Sequence, residues 1–287
     1  MHHVAFNYKE IRMEMKSMKC PYCNGEMETG ILEGQRYLLW AKQPHKVSYH
    51  PKAGEVKLWT EITGNNKENY IMLCNGGPGS ADYLGSVAQM IDDMASIIRF
   101  EQRACGRSTI DYNCDVETII SDLECIRKFY RLTKWIIGGH SWGANLALAY
   151  ALKYPENTKA LLYISGNGIQ RNREWSEEYH KNRHEFGEQM PEMEYPDNNN
   201  VNKLGNKSWQ EYIQHPMLLK RISDLKIPAL FAYGSKDIRP SWPAEQIANL
   251  MPDARFVMID DAAHYIWLTH YKELRSALRD FISEILI

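Results

Sequence analysis

KWIIGGHSWGANLALAYALKY, residues 134–154, holds a strand, a turn and a helix in one unbroken run. Trp135 to Gly138 is a short apolar run of the kind that forms a strand buried on both faces. Asn145 to Tyr154 is rich in Ala, which predicts a slim helix able to lie close on a sheet. Between them stands Gly139-His140-Ser141-Trp142-Gly143, a G-x-S-x-G. Its glycines permit a turn tight enough to lift a hydroxyl above the sheet edge.

The same grammar repeats outward from this run. NYIMLCN (69–75), SIIRFE (96–101), ALLYIS (160–165), PALFAYG (228–234) and ARFVMID (254–260) are apolar runs bounded by Gly, Pro or polar residues. Helical patterns separate them: Ile119, Leu123, Ile126 and Tyr130 step along one face, with Asp115 as N-cap and Thr118 at the third position. HYIWLTHYKELRSALRDFISEIL (264–286) predicts one long amphipathic helix. Alternating strands and helices imply an α/β fold, a mostly parallel doubly wound sheet. Residues 166–226 break the alternation, and their length predicts a short helical cap with helices near 172–187 and 208–222. QRYLLW (35–40) and EVKLWTEIT (55–63) predict short antiparallel strands. The expected organisation is a tail and small β appendage over 1–50, then one α/β domain over 51–287.

The chain has 287 residues, a net charge of −2 and 44% hydrophobic residues. Such a composition supports a core and excludes bulk disorder. It offers no basic excess for nucleic acid, so no nucleic-acid partner is expected. No apolar run reaches the length of a membrane span, and the opening MHHVAFNYKEIRMEMKSMK lacks the apolar block of a secretory signal. A cytoplasmic protein without membrane contact follows, with its six cysteines as reduced thiols.

A serine hydroxyl becomes a nucleophile when a base takes its proton and an acid orients that base. Asp237 follows PALFAYG and His264 follows ARFVMID, so both emerge at the same sheet edge as Ser141. The rival bases His180, His184 and His215 fall in the cap and His270 in the last helix, while Asp260 and Asp261 stand too near His264 to serve as its acid. The backbone N–H of Trp142 and that of Gly77, in NGGPGS (75–80), are the expected oxyanion donors. Arg103 and Arg107, in EQRACGRS, are read as loop-shaping partners of Glu101, with contact to a substrate carboxylate as the alternative. Cys105 lacks a strand–turn–helix around it. In the acid-rich first cap helix, Glu174, Glu177, Glu178 and Glu185 are candidates to attract a cationic amine, with plain solvation as the alternative. Trp175, Tyr179 and Phe186 there share a face that closes on the core or binds ligand.

LCNGGPGS, FEQRACGRS and GGHSWGANLALAY, in that order, resemble the signature blocks of the proline iminopeptidase branch of the serine α/β-hydrolases. The resemblance spans roughly 55–165 and 228–287. It implies the α/β-hydrolase fold, no cofactor, and Ser141, Asp237 and His264 as the triad. Asn75 stands where the family carries His, and Glu101 where it carries Asp. The cap also looks shorter than in true proline iminopeptidases, whose cap carboxylates hold the substrate's amino terminus. The expected function is hydrolysis of an ester or amide in a small molecule or short peptide through an acyl-enzyme. The specific versions are an iminopeptidase-like aminopeptidase, a small-molecule esterase or lactonase, and a non-catalytic receptor built on the fold. Dehalogenases and epoxide hydrolases carry Asp at the nucleophile position and are disfavoured.

Cys20 and Cys23, in CPYC, have metal-ligand spacing, and His45 and His50 offer a second pair. MKCPYCNGEMETG resembles the opening half of a zinc-ribbon-like module. The second pair is too distant for a familiar finger, so the expectation is a turn with two thiols and no metal, with zinc on these four residues as the alternative.

Overall fold

The runs of Ile, Leu, Val and Ala around Ser141 form the middle of one mixed sheet, seen in a computed structural model that describes residues 47–66, 68–170 and 172–286. The strands are β1 (Val47–Tyr49), β2 (Lys52–Ala53), β3 (Val56–Lys57), β4 (Thr60–Thr63), β5 (Tyr70–Cys74), β6 (Ser96–Phe100), β7 (Trp135–His140), β8 (Thr158–Ile164), β9 (Ala229–Gly234) and β10 (Ala254–Ile259). The helices are α1 (Gly85–Ala88), α2 (Val116–Phe129), α3 (Trp142–Lys153), α4 (Arg173–Phe186), α5 (Asn199–Tyr212), α6 (Leu218–Asp224), α7 (Trp242–Leu250) and α8 (Tyr271–Ile285). Eight strands make the main sheet in the order β1-β4-β6-β5-β7-β8-β9-β10, and β2 and β3 form a separate hairpin. From β6 to β10 every pairing is parallel, whereas β4 runs antiparallel to β6 and β1 antiparallel to β4.

Alternate residues of each central strand enter opposite cores. Met72, Ile98, Ile137, Leu161 and Phe231 face the layer of α2, α3 and α7. Ile71, Ile97, Ile136, Leu162 and Leu230 face α1 and α8. Both faces are covered, which is why these strands read as continuous apolar runs rather than alternating ones. The Ala-rich α3 is buried from Trp142 through Leu152, as its small side chains allow.

Some expectations need adjustment. The described part of the antiparallel stretch, β1 and β4, extends the main sheet itself, so that sheet begins before residue 51. The described residues belong to one unit, 43–287, and QRYLLW lies outside them. The helix expected near 208–222 is two helices, α5 and α6, parted where Pro216 withholds an N–H. The Asn198-Asn199-Asn200 run is a helix start: the Asn198 side chain accepts the N–H groups of Asn200 and Val201. The last helix begins at Tyr271, after a 3₁₀ turn at Ile266–Leu268, which leaves His264 in a loop. Asp115 caps α2 as expected, accepting from Thr118 N at 2.9 Å and Thr118 Oγ1 at 2.6 Å.

Candidate active site

Ser141 joins β7 to α3 with φ 58° and ψ −124°, a conformation that side chains other than glycine rarely adopt. Holding it costs about 1–3 kcal/mol, which surrounding contacts must offset. Its N–H donates to Ile164 O at 2.9 Å, tying the turn to β8. A Cβ at Gly143 would collide with the carbonyl oxygens of Cys74 and Asn75, and one at Gly139 with the Gly143 carbonyl. These two glycines allow α3 to start directly against the end of β5.

Asp237 leaves β9 and His264 follows β10, and both side chains are buried. His264 Nδ1 and Asp237 Oδ2 are 2.6 Å apart. With Nδ1–H donating to the carboxylate, Nε2 carries the lone pair, and it is buried with no hydrogen-bond partner among the described residues. The His264 ring packs 4.5 Å, centroid to centroid, from the ring of His140, the residue before Ser141. His140 Nε2 is 3.0 Å from His264 O, and His140 Nδ1 is 2.7 Å from the Tyr83 hydroxyl, which accepts from Gly76 N at 2.7 Å. The donor directions close into one chain: Gly76 N–H to Tyr83, Tyr83 O–H to His140 Nδ1, and His140 Nε2–H to the His264 carbonyl. His140 and Tyr83 thus join the glycine loop, the serine turn and the histidine loop. Sequence reasoning passed over both. The only available signal was that residue 140 lies inside the motif.

Burial shapes the charges. It pushes the Asp237 carboxyl up to about 6, against the opposing pull of Arg239. Burial first, then the Arg239 charge, holds His264 well below the usual imidazole range, with Glu188 pulling the other way. His140 is held low by burial and by His264. Arg239 and Glu188 were also missed by sequence reasoning, although YGSKDIRP places an arginine two residues after the acid.

The glycine loop sits beside the serine: a Cβ on Gly76 would lie 2.9 Å from Ser141 Cβ. Gly77 has φ 119°, and neither its N–H nor that of Trp142 finds an acceptor among the described residues. Asn75, fully buried, donates to Ser80 O at 2.6 Å and Ala81 O at 3.2 Å, so it staples the loop across its base. From the cap, Asn202 Nδ2 reaches Pro78 O at 2.9 Å and Asn198 N reaches Gly79 O at 2.8 Å. The cap grips the loop.

The remaining candidates fall elsewhere. Arg107 pairs with buried Glu101, at 2.6 Å from Nη2 to Oε1, and stacks 3.5 Å over Trp59. Arg103 pairs with Asp122 and Asp111 rather than Glu101. Both arginines shape loops. Cys105 is buried, its thiol pushed up to about 12 by burial. Glu174 and Glu185 are exposed, Glu177 pairs with Arg173, and Glu178 accepts from Trp242 Nε1 at 3.0 Å. Among the described residues no hydrogen bond or ion pair joins any of the four to Ser141, Asp237 or His264. Trp175 is buried and stacks on Tyr179 at 5.2 Å, while Phe186 is exposed. His50 is exposed, and Cys20, Cys23 and His45 lie outside the described residues. Among the described residues no group of three or more His, Cys, Asp or Glu could hold a metal ion, and no helix is long and apolar enough to cross a membrane.

A mostly parallel sheet with a strained serine between its central strand and helix, and an Asp–His pair at the same edge, is the α/β-hydrolase fold. Residues 69–193 match the family model described as alpha/beta hydrolase fold, and 20–75 match a domain of unknown function, DUF6487. Among curated proteins the likeness is to proline iminopeptidases. The enzyme of Xylella fastidiosa (strain 9a5c) is 35% identical over 126 residues, 43% of this chain and 39% of that protein. The proline iminopeptidase of Neisseria meningitidis serogroup A is 31% identical over 125 residues, 42% of this chain and 40% of that protein. The chain thus spans about two-fifths of the curated relatives it matches. Among solved structures, proline iminopeptidase of Mycobacterium smegmatis has a TM-score of 0.65 at 16% identity, covering 83% of this chain and 98% of that one. A thermophilic esterase from Thermogutta terrifontis has 0.68 at 20% identity, covering 84% and 99%.

Proposed function

We propose that the protein is a serine hydrolase that cleaves an ester or amide of a small molecule or short peptide through an acyl-enzyme on Ser141. The observation that carries this reading is the buried Asp237–His264 pair, whose Nε2 is left without a partner. In the proposed cycle His264 Nε2 takes the Ser141 proton as Oγ attacks the carbonyl carbon. The N–H groups of Gly77 and Trp142 stabilise the tetrahedral oxyanion. The leaving group then departs with the proton from His264, and water repeats the sequence to free the acid. A cytoplasmic setting goes with this reading, since Cys74, Cys105, Cys114 and Cys125 are free thiols.

A fluorophosphonate should label Ser141, and a panel of p-nitrophenyl esters and aminoacyl-naphthylamides should reveal turnover. Labelling without any turnover supports a receptor instead. A second reading, an iminopeptidase-like aminopeptidase, is favoured by the likeness to proline iminopeptidases. Its carboxylate candidates are Glu174, Glu177, Glu178 and Glu185. Neutralising the right one to Gln should raise KM for aminoacyl substrates about 10- to 100-fold and barely alter that of a neutral ester. If all four variants treat both classes alike, the esterase reading stands.

A further inference from the structure

Arg239 shares the acid of the triad with His264. His264 Nδ1 takes Oδ2 of Asp237, while the Arg239 backbone N–H donates to Oδ1 at 2.8 Å and its Nη1 lies 3.6 Å from that oxygen. Nη1 also pairs with Oε1 of Glu188, in the cap segment after α4. The other edge of the guanidinium, Nε and Nη2, makes no hydrogen bond or ion pair among the described residues, and 20% of the side chain remains exposed. That edge is the planar two-donor fork that matches a carboxylate. Arg239 itself stands just past the carboxyl end of β9 and meets the cap through Glu188, at the sheet edge where open α/β sheets bind their ligands.

The charges around it argue against a cationic ligand. Glu188, the cap carboxylate paired at the site, is already on Nη1, and among the described residues no hydrogen bond or ion pair joins the four glutamates of α4 to the triad. An ammonium placed here would face a guanidinium. The geometry points to Arg239 as the anchor for a carboxylate on the substrate, so that Ser141 acts best on esters or amides that carry a second, ionised carboxyl group. Glu188, on the opposite edge, partly neutralises the guanidinium. The inference rests on the reading of Ser141 as nucleophile for its catalytic part, but the anchor itself does not need turnover.

The experiment compares p-nitrophenyl butyrate with p-nitrophenyl hydrogen glutarate, which carries its carboxylate on the acyl side, and with 4-butyryloxybenzoate, which carries it on the leaving group. Alanyl-p-nitroanilide supplies the ammonium. The readout is kcat/KM relative to the neutral ester, since any weakening of Asp237 then cancels. In the unaltered protein one of the two anionic esters should be preferred over the neutral one. Arg239→Met should cut that preference about 10- to 100-fold and Arg239→Lys less, because lysine keeps the charge but loses the fork. Glu188→Gln should raise it by removing a negative charge from the opposite edge of the guanidinium. Calorimetry with glutarate alone should give the same order: weaker binding in Arg239→Met and tighter in Glu188→Gln.

Equal losses on neutral and anionic esters, with no effect on glutarate, would reduce Arg239 to a prop for Asp237 and overturn the anchor. So would a preference for the anilide that Glu188→Gln abolishes. Arg239-dependent glutarate binding without hydrolysis of any substrate would keep the anchor and remove the nucleophile reading.

Discussion

Ser141 holds its left-handed conformation in a crowded turn: β8 takes its N–H, and Gly139 and Gly143 let the turn close against the end of β5. Gly143→Ala should therefore act on the whole turn. The new methyl group meets two carbonyl oxygens that belong to β5 and its loop, and overpacking of this kind costs about 1–3 kcal/mol. Urea unfolding should show at least that loss, and wild-type stability would mean the turn can relax. Ser141→Ala removes only the hydroxyl, so the fold should persist while kcat drops roughly 10⁴–10⁶-fold. His264→Ala should do similar damage, and the double variant no more, because the groups act as a unit. Additive losses would give His264 another role. The Ser, Asp and His were legible because each follows a strand. Arg239, Glu188, Tyr83 and His140 were not, since each acts through a partner more than 50 residues away or through one neighbour's oxygen.

At the scale of elements, α5 does more than close the top of the cleft. Its capping residue Asn198 also sends its side-chain amide to Ala104 O at 2.8 Å, so the cap start, the glycine loop and the loop after β6 meet on one asparagine. Asn198→Ala should cost about 0.5–2 kcal/mol through the lost cap, and it should loosen the loop that carries Gly77. The expected signature is a lowered kcat with labelling of Ser141 still complete but slower. Unchanged kcat would mean that Asn75, Asn202 and the backbone N–H of residue 198 hold the loop without the side-chain cap. Element types were legible where period and capping agreed, as in α2 with Asp115. They were misread where polar runs hid a cap, as at Asn198, or where one proline divided an amphipathic pattern, as at Pro216. The cap helices pack few of their residues, so pattern alone defines them poorly: only Trp175 of α4 is buried.

For the whole molecule, the alternation of strands and helices was enough to give a doubly wound sheet. It could not give strand order, because β5 lies between β6 and β7 through contacts far apart in sequence, and β4 reaches across to pair with β6. That order sets the chemistry, since it places the ends of β5, β7, β9 and β10 along one edge. The pH dependence follows from what this edge buries. The proposed cycle requires His264 neutral and Asp237 ionised. Burial lowers His264, so the free base persists to more acid pH than an ordinary imidazole allows, whereas burial raises Asp237 to about 6, so its carboxylate is lost below that value. Both steps add a proton to one coupled pair, and kcat/KM should fall along a single acid limb at or just below about pH 6 rather than at the ordinary ~6.5. On the alkaline side burial pushes Tyr265 up to about 12 and Tyr83 well above the usual phenol range, so neither phenol titrates below pH 10. An alkaline limb must therefore come from the substrate. A neutral or carboxylate-bearing ester should give a plateau from about pH 7 upward, while an aminoacyl substrate whose ammonium is recognised should decline near ~8 as its α-amino group deprotonates. Initial rates below KM, taken from pH 5 to 9.5 on both substrate classes, decide it: an acid limb above pH 7 would show that the buried Asp–His pair does not set the base, and a decline near 8 on the neutral ester would place an unrecognised titrating group in the site.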